Sequence, residues 1–212
     1  MALADFIDHT NLKPTATVAE IQKLCKETKT YGFYAVCVNG CHVSIAKETL
    51  RNTPVKVAAV VGFPLGAMST KSKVFEAKDC IENGADEIDM VINIGWLKSE
   101  MYDAVREEIN TIKQAIGDKI LKVIIETCYL TDSEKEIACT LAVEAHADFV
   151  KTSTGFGTGG ATVEDVKLMK RIVGENAKIK ASGGVKNKEM ALQYIDLGVS
   201  RIGTSSGPDL LK

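Results

Sequence analysis

Histidine is scarce in this chain: only His9, His42 and His146 are present in 212 residues. There are six cysteines, but no two of them form a C-x-x-C pair. Cys37, Cys41 and His42 lie close together without the matching second half of a zinc site, so no metal is expected. Thiols with no pairing framework suit a reducing compartment, and the expected location is the cytoplasm. Long basic runs are also missing, and the formal net charge is −2. Nucleic acid is therefore not an expected partner. No apolar run is long enough to span a bilayer, which argues against a membrane partner. The first residues, Met1-Ala-Leu-Ala-Asp-Phe6, lack the basic region and long apolar core of a secretion signal.

What the chain does have is alternation. Apolar, β-branched stretches at 6–10, 33–38, 55–61, 87–92, 120–126, 148–153, 177–182 and 201–203 read as strands. Helical stretches fall between them at 17–29, 42–50, 69–83, 97–116, 132–146, 162–173 and 187–197, several of them stopped by glycine. Thr17 and Glu20 form a capping box for the first. Ser205 or Ser206 opens a short last helix. No linker or low-complexity tract interrupts the series. Strand–helix alternation predicts parallel strands with helical crossovers. The eight units fit a single-domain (β/α)8 TIM barrel over residues 1–212. A doubly wound open sheet is the competing architecture.

Three charged residues sit inside apolar strands: Asp89 between Ile88 and Met90, Lys151 between Val150 and Thr152, and Lys180 between Ile179 and Ala181. Lysine is rarely buried without a partner. If Phe149 and Ser153 share the face of Lys151, Val150 and Thr152 point the other way. Asp89 and Lys151, on strands of the same parity, can share an interior layer. Two inward lysines on neighbouring strands repel, which favours the neutral form of one of them. A neutral amine beside an ammonium and a carboxylate has the parts for imine formation and proton transfer. A structural Asp–Lys pair inside the barrel is the plainer reading of the same three residues.

The last two strands run into Ser182-Gly183-Gly184 and Gly203-Thr-Ser-Ser-Gly207. In barrels the loops after strands seven and eight are a frequent phosphate site. Gly155-Phe-Gly-Thr-Gly-Gly160 matches G-x-G-x-x-G between a strand and a helix. A dinucleotide fold would place an acidic residue at the end of the next strand, and that strand ends Ala181-Ser182. No Gly-Lys-Ser/Thr triplet marks a P-loop.

Taken together, Asp8-His-Thr10, Val36-Cys-Val-Asn39, Gly62-Phe-Pro-Leu-Gly66, Glu87-Ile-Asp-Met-Val-Ile-Asn93, Val150-Lys-Thr-Ser-Thr-Gly-Phe156, Lys180-Ala-Ser-Gly-Gly184 and Gly203-Thr-Ser-Ser206 resemble the class I 2-deoxyribose-5-phosphate aldolases. The similarity covers nearly the whole chain. It implies a barrel that uses no metal or other cofactor and cleaves a sugar phosphate, 2-deoxy-D-ribose 5-phosphate, into D-glyceraldehyde 3-phosphate and acetaldehyde. It further implies Lys151 as the Schiff-base lysine, with Asp89 and Lys180 as proton donor and acceptor. Asp8 and Cys37 match positions near the substrate hydroxyls and the donor carbon. Gly155, Gly183, Gly184, Gly203, Ser205 and Ser206 match the phosphate site. A homodimer is the implied assembly. The chain departs from the pattern twice: Phe156 stands where some members carry lysine, and the C-terminus, Asp209-Leu-Leu-Lys212, has no tyrosine.

Overall fold

The computed structural model describes residues 2–212. Eight parallel strands form a closed barrel: β1 (Ile7–Asn11), β2 (Ala35–Asn39), β3 (Lys56–Val61), β4 (Glu87–Val91), β5 (Ile120–Ile124), β6 (Phe149–Lys151), β7 (Lys178–Ser182) and β8 (Arg201–Thr204). Closure runs through β1 and β8, where Ile7 pairs with Ile202, Asp8 with Gly203 and His9 with Thr204. The (β/α)8 expectation therefore holds, and the open sheet does not.

Helices α1 (Val18–Tyr31), α2 (Val43–Thr49), α3 (Thr70–Glu82), α4 (Ile94–Lys98), α5 (Tyr102–Ile116), α6 (Asp132–Glu144), α7 (Val163–Val173), α8 (Lys188–Asp196) and α9 (Gly207–Leu210) connect and close the units. Their starts are chemically marked. Thr17 and Thr131 make capping boxes with Glu20 and Glu134, while Ser69, Thr162 and Asn187 accept backbone N–H groups at α3, α7 and α8. The stretch expected as one helix over 97–116 is two. Asn93 caps α4 by accepting from the Trp96 N–H, and Glu100 sits at φ +57° between α4 and α5. Glu100 is a good helix former in a left-handed turn, so its residue type conceals the break.

The strands carry two different interiors. Their outward faces, with residues such as Val36, Val57, Ile88, Met90, Val123, Val150, Ile179 and Ile202, join the helices in one large apolar cluster. Burying each such aliphatic side chain contributes roughly 1.5–3 kcal/mol, so this layer is the main stabiliser. Inside the barrel Leu12, Cys37, Ala58 and Val60 form a small separate apolar group. Much of the remaining interior is charged.

One buried ion pair lies in the outer layer. The Lys73 ammonium on α3 donates to the Val91 carbonyl at 2.8 Å and to Glu108 Oε2 on α5 at 2.8 Å. Glu108 also accepts the Asn93 N–H at 3.2 Å. Burial pushes the Lys73 ammonium below its ordinary range and the Glu108 carboxyl above its own. The pair ties α3 and α5 to the end of β4, and the Lys73 chain packs over Gly62, where an added Cβ would meet its Cε at 2.9 Å. Lys73→Met should cost about 3–5 kcal/mol, because it strands a buried carboxylate. Lys73→Met combined with Glu108→Leu should recover most of that. Urea unfolding of the single and double variants checks it, and equal losses in both would show that the charge pairing is not what matters.

Candidate active site

The charged residues inside the barrel form a closed ring of alternating sign. Asp8 Oδ2 contacts Lys180 Nζ at 2.5 Å, and Lys180 donates to Asp89 Oδ2 at 2.8 Å. Asp89 Oδ1 accepts from Lys122 Nζ at 2.7 Å, and Lys122 pairs with Glu87 Oε2 at 2.5 Å. Glu87 Oε1 accepts from Arg201 at 2.8 Å, and Arg201 returns to Asp8 Oδ1 at 2.6 Å. The Arg201 guanidinium also lies 3.4 Å from the centroid of the Tyr34 ring. Lys151 is attached to this ring from outside it. Its ammonium donates to Asp89 Oδ2 at 2.8 Å, the same oxygen that serves Lys180.

Sheet geometry explains the assembly. Register places Asp89 beside Lys122, Lys151 beside Lys180, Lys180 beside Arg201, and Asp8 beside Gly203. Alternation along each strand then turns all of these side chains inward. Gly203 leaves room for the network: a Cβ there would lie 3.2 Å from Lys180 Cε and 2.9 Å from the Ser182 Cβ. As expected, Val150 belongs to the outer apolar cluster while Lys151 faces in.

The ring holds its charges in place. Burial opposes ionisation of Asp89, but Lys122, Lys151 and Lys180 outweigh it and keep the carboxyl well below its usual range. Burial likewise opposes the charge on Asp8, yet Lys180 and Arg201 bring its pKa down to about 2. For Lys180 the burial penalty is overcome by Asp8 and Asp89, which hold the ammonium above the ordinary lysine range. Lys122 behaves the same way beside Asp89 and Glu87. Burial pushes the Cys37 thiol up, so it is a neutral group. The two lysines that the sequence places on neighbouring strands share one carboxylate oxygen, Asp89 Oδ2.

Above Lys151 a cavity of about 350 Å³ opens at the C-terminal face of the barrel. Gly155, Gly183, Gly184, Gly203, Ser205 and Ser206 all line it, as does Lys151. Asp8, Cys37, Asp89 and Lys180 lie beneath, each with no exposed surface. Gly183 packs against the backbone at Gly160, where an added Cβ would meet the Gly183 Cα at 3.0 Å. The G-x-G-x-x-G stretch therefore shapes this loop contact. Phe156, half exposed at the rim, meets Phe63 edge to face at 5.2 Å. Lys13 and Lys186 complete the rim. A larger concavity, about 850 Å³, lies on the helical layer around α5 and α6, and none of the ring residues lines it.

Sequence reasoning passed over Glu87, Lys122, Arg201 and Lys13. Lys122 carries the same signal as the three residues singled out, a charge between apolar Leu121 and Val123. Glu87 and Arg201 open their strands, where a charge usually meets solvent, and Lys13 lies in a loop; no local signal marks them.

Comparison with known proteins fits this geometry. A family model described as DeoC/LacD family aldolase matches residues 3–208. The chain belongs to the DeoC/LacD aldolase family. A deoxyribose-phosphate aldolase of Finegoldia magna is 59% identical over 207 residues, covering 98% of this chain and 97% of that one. One from Thermococcus gammatolerans is 59% identical over 211 residues, covering 98% and 94%. Among solved structures, the tetrameric deoxyribose phosphate aldolase from Aeropyrum pernix superposes with a TM-score of 0.90 at 31% identity, over 99% of this chain and 89% of that one.

The ring makes the aldolase fold sensitive to acid. Asp8 and Asp89 bind fewer protons folded than unfolded, so their contribution is full above the unfolded carboxylate range, near pH ~4, and is lost as pH falls through their lowered values. For Asp8 that point is about 2. Its share is on the order of 2 kcal/mol. Urea midpoints followed by circular dichroism should fall steeply between about pH 4 and pH 2. A flat midpoint across that window would contradict the linkage.

Proposed function

We propose that this aldolase cleaves 2-deoxy-D-ribose 5-phosphate to D-glyceraldehyde 3-phosphate and acetaldehyde through an imine on Lys151. One observation carries the reading: of the four basic groups in the charged interior, Lys151 alone lines the cavity. The relatives named as deoxyribose-phosphate aldolases support the choice of substrate.

The open-chain sugar presents its C1 aldehyde to the unprotonated Lys151 amine. Attack gives a carbinolamine, and loss of water gives the iminium. The C3 hydroxyl then loses its proton, the C2–C3 bond breaks, and its electron pair moves into the iminium to form an enamine. D-Glyceraldehyde 3-phosphate leaves. Protonation of the enamine at C2 and hydrolysis release acetaldehyde and restore the amine. Asp89 and Lys180 form the proton-exchanging pair. Both are fully buried, so they act through the Lys151 hydrogen bond or through a water in the cavity. The iminium is the electron sink in this scheme.

The phosphate goes to the loops after β7 and β8. Gly183 and Gly184 adopt φ +81° and +77°, which lets the chain turn closely around an anion. Ser205 and Ser206 line the cavity and can offer their hydroxyls to the anion. Lys186 and Lys13 add positive charge at the rim. Phe156 supplies an apolar wall at the rim.

Borohydride reduction in the presence of acetaldehyde should leave a two-carbon adduct on Lys151, located by mass mapping, and Lys151→Ala should abolish cleavage. An adduct confined to Lys180 would overturn the assignment. Ser206→Asp sets a carboxylate against the phosphate. Loss of a charge-assisted hydrogen bond of roughly 1.5–3 kcal/mol, plus repulsion, should lower kcat/KM for the phosphorylated sugar about a hundredfold. Unphosphorylated 2-deoxyribose should lose far less. Equal losses on both substrates would place the phosphate elsewhere.

A further inference from the structure

Lys151 and the ring it touches are charged unequally. The ring contains three carboxylates, Asp8, Glu87 and Asp89, and three cations, Lys122, Lys180 and Arg201, each cation contacting two of the carboxylates. With every member ionised it is neutral and self-contained. Lys151 is a seventh group with half a counter-charge, one oxygen of Asp89 shared with Lys180. All the ring residues are buried or nearly so, with at most 4% of their surface exposed. In such surroundings an uncompensated charge is expensive. Removing a proton from any ring cation breaks two ion pairs and leaves the ring negative. Removing one from Lys151 breaks one shared contact and leaves the ring neutral.

We propose that Glu87 and Lys122, which neither line the cavity nor contact Lys151, are positioning residues that set the protonation of Lys151 by fixing the net charge of the ring. The inference rests on the imine reading above. The remaining groups around Lys151 do not alter the sign, and Lys13 and Lys186, which line the same cavity, are the same in every variant compared. Asp89 on β4 is its direct partner, Lys180 on β7 and Asp8 on β1 are fixed within the ring, and Arg201 on β8 closes it. Cys37 on β2 is a neutral thiol. Glu126, past the end of β5, accepts the Thr154 N–H and hydroxyl and is committed there.

The consequence is a pair of opposite shifts. Lys122→Met deletes a positive charge and leaves the ring one negative, so Lys151 retains its proton more tightly. Glu87→Gln deletes a negative charge and leaves the ring one positive, so Lys151 releases its proton more readily. A charge lost or gained at this separation should move the midpoint by about one pH unit. The Lys122→Met/Glu87→Gln double variant restores neutrality and should return the midpoint to the wild-type value.

The experiment measures kcat/KM for cleavage as a function of pH in the wild type, both single variants, the double variant and Lys122→Arg, with folding checked by circular dichroism. Borohydride trapping with acetaldehyde is run on each. The acidic limb should move up in Lys122→Met, down in Glu87→Gln, and stay in place in the double variant and in Lys122→Arg. Shifts in the same direction, or no shift in folded single variants, overturn the inference. If the single variants do not fold, the double variant decides: a midpoint displaced by about a unit or more counts against the ring. Failure to trap Lys151 in the wild type would instead remove the imine reading. Trapping on Lys151 with unmoved midpoints removes the ring inference alone.

Discussion

One carboxylate organises the interior of this barrel. Asp89 accepts from three ammonium groups, Lys122 on one oxygen and Lys151 and Lys180 on the other. Barrel interiors are usually packed with branched aliphatic side chains. Here six strands, β1 and β4 to β8, deliver charged residues to the centre. Only exact pairing makes that tolerable, since each ion sheds its water. The ring supplies the pairing by giving each carboxylate at least two cations and each ring cation two carboxylates. Such a network is weak support for stability by itself, because desolvation offsets most of the attraction. The apolar layer between the strands and the helices carries that load instead.

This division separates rigidity from chemistry. The outer layer fixes the strands, and the register fixes where the charges meet. Lys151 ends β6, where the chain leaves the sheet for the glycine-containing loop and the cavity opens. It therefore belongs to both worlds, bonded to the buried network below and facing a cavity above. The glycine- and serine-bearing loops stand on neighbouring strands, β7 and β8, and line the same cavity as Lys151, which is the arrangement the proposed anchoring of a sugar phosphate requires.

Lys73 offers a control within the same chain. It is fully buried, ion-paired to Glu108 at 2.8 Å and bonded to a carbonyl, much as Lys151 is bonded to Asp89. Yet it borders no cavity of the barrel mouth, and its partners are structural groups at the ends of strands and helices. Burial and pairing alone do not make a lysine reactive. What distinguishes Lys151 is access, since it lines the cavity at the barrel mouth and Lys73 does not.

Much of this was legible in the linear chain. The alternation of apolar runs and capped helices determined eight parallel strands, because parallel neighbours require a crossover and the residue pattern supplied each one. Asp89, Lys151 and Lys180 stood out as charges inside apolar strands, and Lys122 met the same criterion without being singled out. The turn at Glu100 was invisible, since a good helix former occupies it. Glu87 and Arg201 looked like solvated strand starts. Their roles depend on closure of β8 onto β1 and on register across the barrel, which join Arg201 to Asp8, 193 positions away in the sequence. A strand's own residues state which faces are apolar. Whether an inward charge finds a partner is decided by which other strands curve round to meet it, and only the folded barrel fixes those distances.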